Sequence, residues 1–436
     1  MATFTVTNTN DSGVGSLREA VDLANANADA DTITFDASLS GQTITLTGGE
    51  LVLTQDVTID GDVNGDNKAD ITISGNDASR VFRMTGATTD VDLLSLALTN
   101  GFAAGYSGYG GAIYAFQIAT LDIQDTTIRD SAAYIGGGLF AHYSDVTLTN
   151  SLVTGNAATL GGGIYVWSLS TLTVTNSTIH GNTANSSGGG ISAGFSTVTL
   201  VNSTVTGNQA DAGGSDTALG GGLHDTSSTF TVTNSVVAEN TSGTSAVLND
   251  VNGTIDTATN SVFGTAVTIT TNTGSLTGVA DVGLGALADN GGTVETRLAL
   301  SGNVLIDAGD DASAPAGDAA NGLPRIVGDH VDIGAAESIP ATLVVDEAGD
   351  VVDGNYTAGH LSLREAVTLA NMIDDANTIT FDASLSGQTI VLTSGQLTLT
   401  QDVTIDGDTD GDNKADITIS GNDASRVFRM TGGSTD

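Results

Sequence analysis

Apolar and polar residues alternate in short runs along most of this chain, and between Gly110 and Asn240 the alternation itself recurs. A Gly-Gly-Ala-Ile phrase at 110–113 is followed by Gly-Gly-Gly plus an aliphatic residue at 136–139, 161–164, 188–191 and 220–223. Each phrase leads into an alternating run (LDIQD, VTLTN, LTVTN, VTLVN, FTVTN) and then a shorter one, which ends on Asn156, Asn182, Asn208 and Asn240 in the last four copies. Aligned this way, Leu121, Val146, Leu172, Val198 and Phe230 form one column. Ile123, Leu148, Val174, Leu200 and Val232 form a second, and Ile128, Val153, Ile179, Val205 and Val237 a third. The columns are spaced by 25, 26, 26 and 32 residues. A repeat of this size built from β-branched runs predicts a solenoid, because one unit cannot bury its apolar face but a stack can.

Each unit is predicted to be one turn of a parallel β-helix with three short strands, apolar side chains inward and the Thr/Ser/Asp set outward. The glycines mark tight corners that need positive φ or close approach to the next turn. Asn150, Asn176, Asn202 and Asn234 fall in register, as do Asn156, Asn182, Asn208 and Asn240. Both columns are expected to be turn ladders, since Asn tolerates left-handed backbone and bonds to its own kind along a stack. The extra residues around Asp211 to Asp216 predict a loop at one corner.

Earlier in the chain, Ser16-Leu17-Arg18-Glu19 reads as a capping box, and Leu17, Ala20, Val21 and Ala24 lie at helical spacing. A short amphipathic helix near 16–26 is therefore expected to cover the open end of the apolar column. The same signature returns at Ser362 to Val367, predicting a cap near 362–372. Residues 378–432 follow 32–86 with six substitutions. The expected organisation is one module over 1–338, closed by the segments at 298–309 and 324–337, and the start of a second over 339–436. A second module cut at Asp436 is expected to expose an open apolar end and to associate head to tail with other copies or neighbouring modules. Met1 running straight into a strand suggests an excised piece or a removed leader.

Composition narrows the classes. The 436 residues include no Cys, so stability must come from stacking or from metal. With 11 Lys+Arg against 51 Asp+Glu the net charge is −40, which argues against nucleic acid and anionic membrane. No apolar run is long enough to insert in a bilayer.

Oxygen-bearing residues recur at alternating positions in one tight loop: Asp62, Asn64, Asp66 and Asp70, with Lys68 where a backbone carbonyl would serve. The loop returns as Asp408, Asp410, Asp412, Lys414 and Asp416. This spacing of hard ligands predicts calcium; the bland reading is an acidic, solvated turn. Ile73 stands where an EF-hand places its bidentate Glu, and the loop looks like those of integrin-type and dockerin-like repeats.

The SLREA boxes resemble the CSLREA-type starts of bacterial extracellular proteins, with Gly15 and Leu361 in place of the usual Cys. IDAG at 306–309 and PRIVG to VDIGAAE at 324–337 resemble the end of the choice-of-anchor Q family, and the glycine phrases resemble polymorphic outer-membrane proteins and autotransporter passengers. These resemblances imply a right-handed parallel β-helix displayed outside a bacterial cell. They imply no activity, since the fold hosts many.

For catalysis the sequence offers little. Both lysines sit in the acidic loops, and Arg129 is read as the sole arginine on a regular coil, paired with Asp125 or Asp130. His142, His180 and His224 are out of register and expected to be solvent-exposed. Tyr114, Phe140, Tyr165 and Trp167, with Tyr106, Tyr109, Tyr134 and Tyr143, gather at the glycine corner. They could stack on sugar rings or on one another. The reading reached from sequence is an all-β, non-catalytic, extracellular structural or adhesive module stabilised by calcium. The alternatives are a carbohydrate-binding or polysaccharide-processing β-helix, with cell-surface polysaccharide as partner, and a filament-forming subunit.

Overall fold

The computed structural model describes residues 1–214, 219–340, 342–357, 359–372 and 377–431. Among the described residues, strands that are parallel except for Val247–Leu248 stack coil on coil into sheets of 17, 10 and 7 strands, which wall a solenoid of about 15 turns. The three predicted columns are its core. Leu121 pairs in register with Val146, then Leu172, Val198 and Phe230; the columns through Ile123 and Ile128 do the same. Every member is at most 1% exposed. Each such side chain contributes about 1.5–3 kcal/mol on burial, which is what holds the stack together.

Four consecutive coils, from Leu139 to Ser242, have four strand segments where three are expected. One coil runs Leu139–His142, Asp145–Thr149, Leu152–Thr154 and Ala157–Leu160. The first two are halves of one long strand, continuous as Ile113–Gln124 in the preceding coil. A left-handed residue bends it in the middle, Gln117 in the continuous strand and Tyr143 or Phe195 in later coils. The corner loop expected near Asp211–Asp216 extends into residues 215–218, which lie outside the described set.

The two asparagine columns do different work. Asn150, Asn176, Asn202 and Asn234 have φ of 41–49° together with Asn260, so their backbone makes the corner. The second column instead puts its side chains inside. Asn156 Nδ2 donates to Asn182 Oδ1 (3.0 Å), Asn182 to Asn208 (2.9 Å), Asn208 to Asn240 (2.9 Å) and Asn240 to Asp250 Oδ1 (3.0 Å). Asn182, Asn208 and Asn240 are fully buried, so this amide chain fixes the register of the coils. The glycine phrases also divide their roles. Gly161 has φ +62°, whereas a Cβ on Gly162 would meet the Gly189 carbonyl oxygen at 2.5 Å.

Helix α1 (Leu17–Ala26) buries Leu17, Ala20, Val21 and Ala24 against the first coils. Ser16 accepts from the Glu19 amide, but Glu19 reaches back to Gly15 instead of Ser16. The reciprocal box is complete in α2 (Leu363–Ala370), between Ser362 and Glu365. Behind α2, Thr342–Val345, Asn377–Phe381 and Val403–Ile405 pair in parallel as Thr3–Val6, Asp31–Phe35 and Val57–Asp60 do at the start of the chain. This second set has its own apolar cluster, which also takes in Leu323 and Val327. Next to the expected boundary between 338 and 339, Ala341 lies outside the described residues, as do residues 432–436 at the expected open end. No helix among the described residues is long and apolar enough to cross a membrane.

The segments at 298–309 and 324–337 do not simply close the solenoid. They belong to a strap that folds back along the asparagine corner. Asn260 Nδ2 donates to the Ala308 carbonyl (3.0 Å), Asn234 to Asp310 (3.0 Å), Asn202 to Asp332 (3.2 Å) and Asn176 to Asp318 (3.1 Å). Arg325 pins it, donating to Asn176 Oδ1 at 2.6 Å and to Glu337 Oε1 at 2.8 Å. Burial and the neighbouring Asp332 push the Glu337 carboxyl up to about 8 in spite of Arg325, and burial pushes Asp332 up to about 6.

Candidate functional site

The period-2 alternation that sends Leu139, Ala141, Ile164 and Val166 inward sends their neighbours outward on the first half of the long sheet. Parallel register then assembles two columns. Arg83, Tyr114, Phe140, Tyr165, Ser192 and His224 stand in one. Thr85, Phe116, His142, Trp167 and Gly194 stand in the other. Successive ring centroids are 5.6 Å apart from Tyr114 to Phe140, 5.8 Å from Phe140 to Tyr165 and 5.3 Å from Phe116 to His142. The rings do pack on one another, as one reading of the sequence expected. They also leave a cleft of about 420 Å³ between the columns and the Tyr109 and Ile135 side chains. Trp167 lies over Gly194, where any side chain would collide with the indole.

Charge closes the N-terminal end. The Arg80 guanidinium sits 5.3 Å from the Tyr114 ring centre, donates to the Tyr109 carbonyl at 2.7 Å and pairs with Glu50 at 2.6 Å. Arg83, about half exposed, lies 3.7 Å from the same carboxylate. These three residues were not singled out from sequence, although aligning VFRM at 81–84 with AIYA at 112–115 places Arg83 in the Tyr114 column. Arg129 is thus not the only arginine on a regular coil. It is exposed, 3.9 Å from Asp130, while Asp125 accepts instead from Thr293 and Gln124.

Burial pushes the Tyr165 hydroxyl up to about 12 and raises Tyr114, so both stay protonated donors near neutrality. The histidines are half-buried, not solvent-exposed as expected. His142 stacks in the second column, His224 bonds Ser192 Oγ at 3.2 Å and His180 bonds Thr206 Oγ1 at 3.3 Å. Desolvation lowers all three, which favours the neutral ring.

The acidic loops lie away from this cleft. In the first, carboxylate oxygens of Asp62, Asp66 and Asp70 approach within 4.8 Å of one another. Burial works to raise the Asp62 carboxyl, but the amides of Asn67, Gly65 and Asn64 hold it below its ordinary value. Asn64 Oδ1 accepts from Asp66, and the Lys68 amide donates to Asp66. In the second loop Asp408, Asp410 and Asp416 converge, and Asp412 instead pairs with the Lys414 ammonium. Three converging carboxylates in each loop fit a hard, oxygen-seeking cation.

A family model described as a right-handed beta helix region matches residues 104–281. The fold is a right-handed parallel β-helix. This β-helix is similar to pectate lyase Pel9A, with a TM-score of 0.43 and 16% identity over 77% of this chain and 96% of that one. It is also similar to jun a 1, the major allergen from cedar pollen, with a TM-score of 0.37 and 16% identity over 63% of this chain and 79% of that one. No curated protein matches the chain in sequence. The expectation of a non-catalytic protein is corrected here: one β-helix similar to this chain is a pectate lyase, so an enzyme is not set aside.

Proposed function

We propose that this β-helix binds polysaccharide along its aromatic cleft. The supporting observation is the pair of ring columns, Tyr114–Phe140–Tyr165 beside Phe116–His142–Trp167, running along the solenoid axis with a cleft between them. Sugar C–H faces pack on aromatic surface, while the tyrosine hydroxyls and the indole N–H remain as donors for sugar hydroxyls. A linear polymer lying along the axis meets an aromatic ring at each of these successive coils. The net charge of −40 disfavours a polyanion, so a neutral polysaccharide is the expected class. On this reading the protein works outside the cell, as its sequence resemblances imply. We further propose that the two acidic loops hold calcium as a structural ion, through Asp62, Asp66 and Asp70 and through Asp408, Asp410 and Asp416.

Trp167 is the single tryptophan of the chain and lines the cleft, so its fluorescence reports directly on the site. Titration with soluble β-glucans, mannans and polygalacturonate should change the emission for a neutral polymer, and Tyr165→Ala should abolish the change. An emission unmoved by every polymer, with no co-sedimentation on insoluble polysaccharide, would overturn the reading. New reducing ends or unsaturated products in the same samples would add catalysis to binding.

A further inference from the structure

The second half of the long sheet presents a different outer surface. Its segments Asp145–Thr149, Thr171–Thr175, Thr197–Val201, Thr229–Thr233, Thr254–Thr259 and Thr268–Thr273 pair in parallel, with no register shift across the first four. One outward column is threonine throughout: Thr147, Thr173, Thr199, Thr231, Thr257 and Thr271. Two residues along each strand runs a second: Thr149, Thr175, Thr233, Thr259 and Thr273, interrupted by Val201. Thr171, Thr197 and Thr229, exposed, follow Asp145 in a third.

Parallel pairing sets the mesh of this array at about 4.8 Å along the solenoid axis and about 6.7 Å along each strand. A β-branched side chain has few χ1 choices, and stacking in register narrows them further, so hydroxyls and methyls stand at fixed lattice points. Among the described residues of the three columns, the Thr171 hydroxyl alone bonds to protein, at Asp145 Oδ1 (2.8 Å). The other hydroxyls are free for water. In a chain of net charge −40, the columns carry no ionisable group from Thr171 onward.

We propose that this threonine face binds ice. A sheet of water held by regularly spaced hydroxyls, and confined by the methyls between them, takes on the mesh of the face. That mesh is close to the oxygen repeats on a face of hexagonal ice, so the ordered layer can merge with a growing crystal. Between Asp145 at the start of the face and Asp256 beyond Thr229, the threonine columns offer no charge and no ring with which to select a sugar or a peptide. This surface is separate from the aromatic cleft, and the two readings stand or fall apart.

Thermal hysteresis and ice-recrystallisation inhibition of the purified chain provide the test. The parent should show both, with facetted crystals. Thr199→Tyr and Thr231→Tyr each raise a ring above the array and should lose both effects while circular dichroism stays unchanged. Thr154→Tyr, outward on the ten-stranded sheet, should retain them, as should Trp167→Phe. Absence of hysteresis in the folded parent overturns the proposal. So does hysteresis that survives both tyrosine variants, or a threonine face that captures polysaccharide without any effect on ice.

Discussion

Replacing Asn208 by Ala should be among the most damaging single changes in the solenoid. Asn208 Oδ1 accepts from the Asn182 amide at 3.0 Å and from Asn182 Nδ2 at 2.9 Å. Its Nδ2 donates to the Ile179 carbonyl at 2.9 Å, the Thr206 carbonyl at 3.1 Å and Asn240 Oδ1 at 2.9 Å. Truncation removes all of these, and the residue is fully buried, so solvent does not replace them directly. Asn182 Nδ2 keeps the Val153 and His180 carbonyls, but the Asn182 backbone N–H loses its acceptor. An orphaned buried donor costs about 1–3 kcal/mol, and each further lost bond about 1 kcal/mol net. A water entering the small polar cavity would recover part of this. The expected loss is therefore about 2–4 kcal/mol. Urea unfolding followed by circular dichroism measures it, with the exposed Asn185→Ala as a control expected to stay within about 0.5 kcal/mol of the parent. If Asn208→Ala unfolds with its control, the amide chain does not specify the stack.

Gly162→Ala places a Cβ against the Gly189 carbonyl and Thr183 backbone, so the coils must separate; a loss of about 1–3 kcal/mol or more is expected in the same assay, and a neutral result would contradict the close approach. Calcium at a hundredfold excess over its Kd should add about 2.7 kcal/mol, so a chelator should lower the melting temperature in the parent but not in Asp62→Asn/Asp408→Asn; a melt insensitive to chelator would remove the metal assignment. For the strap, Glu337 has a folded pKa of about 8, above its ordinary value, so the folded state holds extra protons between about pH 5 and 8. Docking of the strap is then strongest at the acidic end and weakens as pH rises to 8. Hydrogen exchange over residues 305–337 should show protection falling across that range, and Glu337→Gln should flatten the profile; protection that rises with pH would reverse the sign of the argument.

What the sequence disclosed follows from where its periodicity was carried. Columns such as Ile123 to Val232 are legible because parallel stacking puts equivalent residues one period apart, and burial demands an apolar residue at each. The left-handed asparagines are legible because few other residues tolerate that backbone. The strap was not legible: Arg325 meets Asn176 across 149 residues, and nothing local in PRIVG announces that partner. Arg80 and Arg83 were missed because they precede the first glycine phrase, so no repeat aligned them with the rings they adjoin. The second asparagine column shows a related ambiguity, since the same residue at the same period served a backbone turn in one case and an internal amide chain in the other.

The strap imposes on this solenoid a length that solenoids ordinarily lack. Repeat proteins lengthen or shorten by whole units because each unit touches only its neighbours. Here Asn176, Asn202, Asn234 and Asn260 are each matched to a set carbonyl of one continuous segment. A coil duplicated or deleted between Asn176 and Asn260 would displace every later match by one step, leaving Arg325 and Glu337 opposite the wrong corner. Coils before Asn100 carry no such match among the described residues and can be added freely. The strap is a ruler, and a change of coil number disturbs least the part of the chain it does not measure.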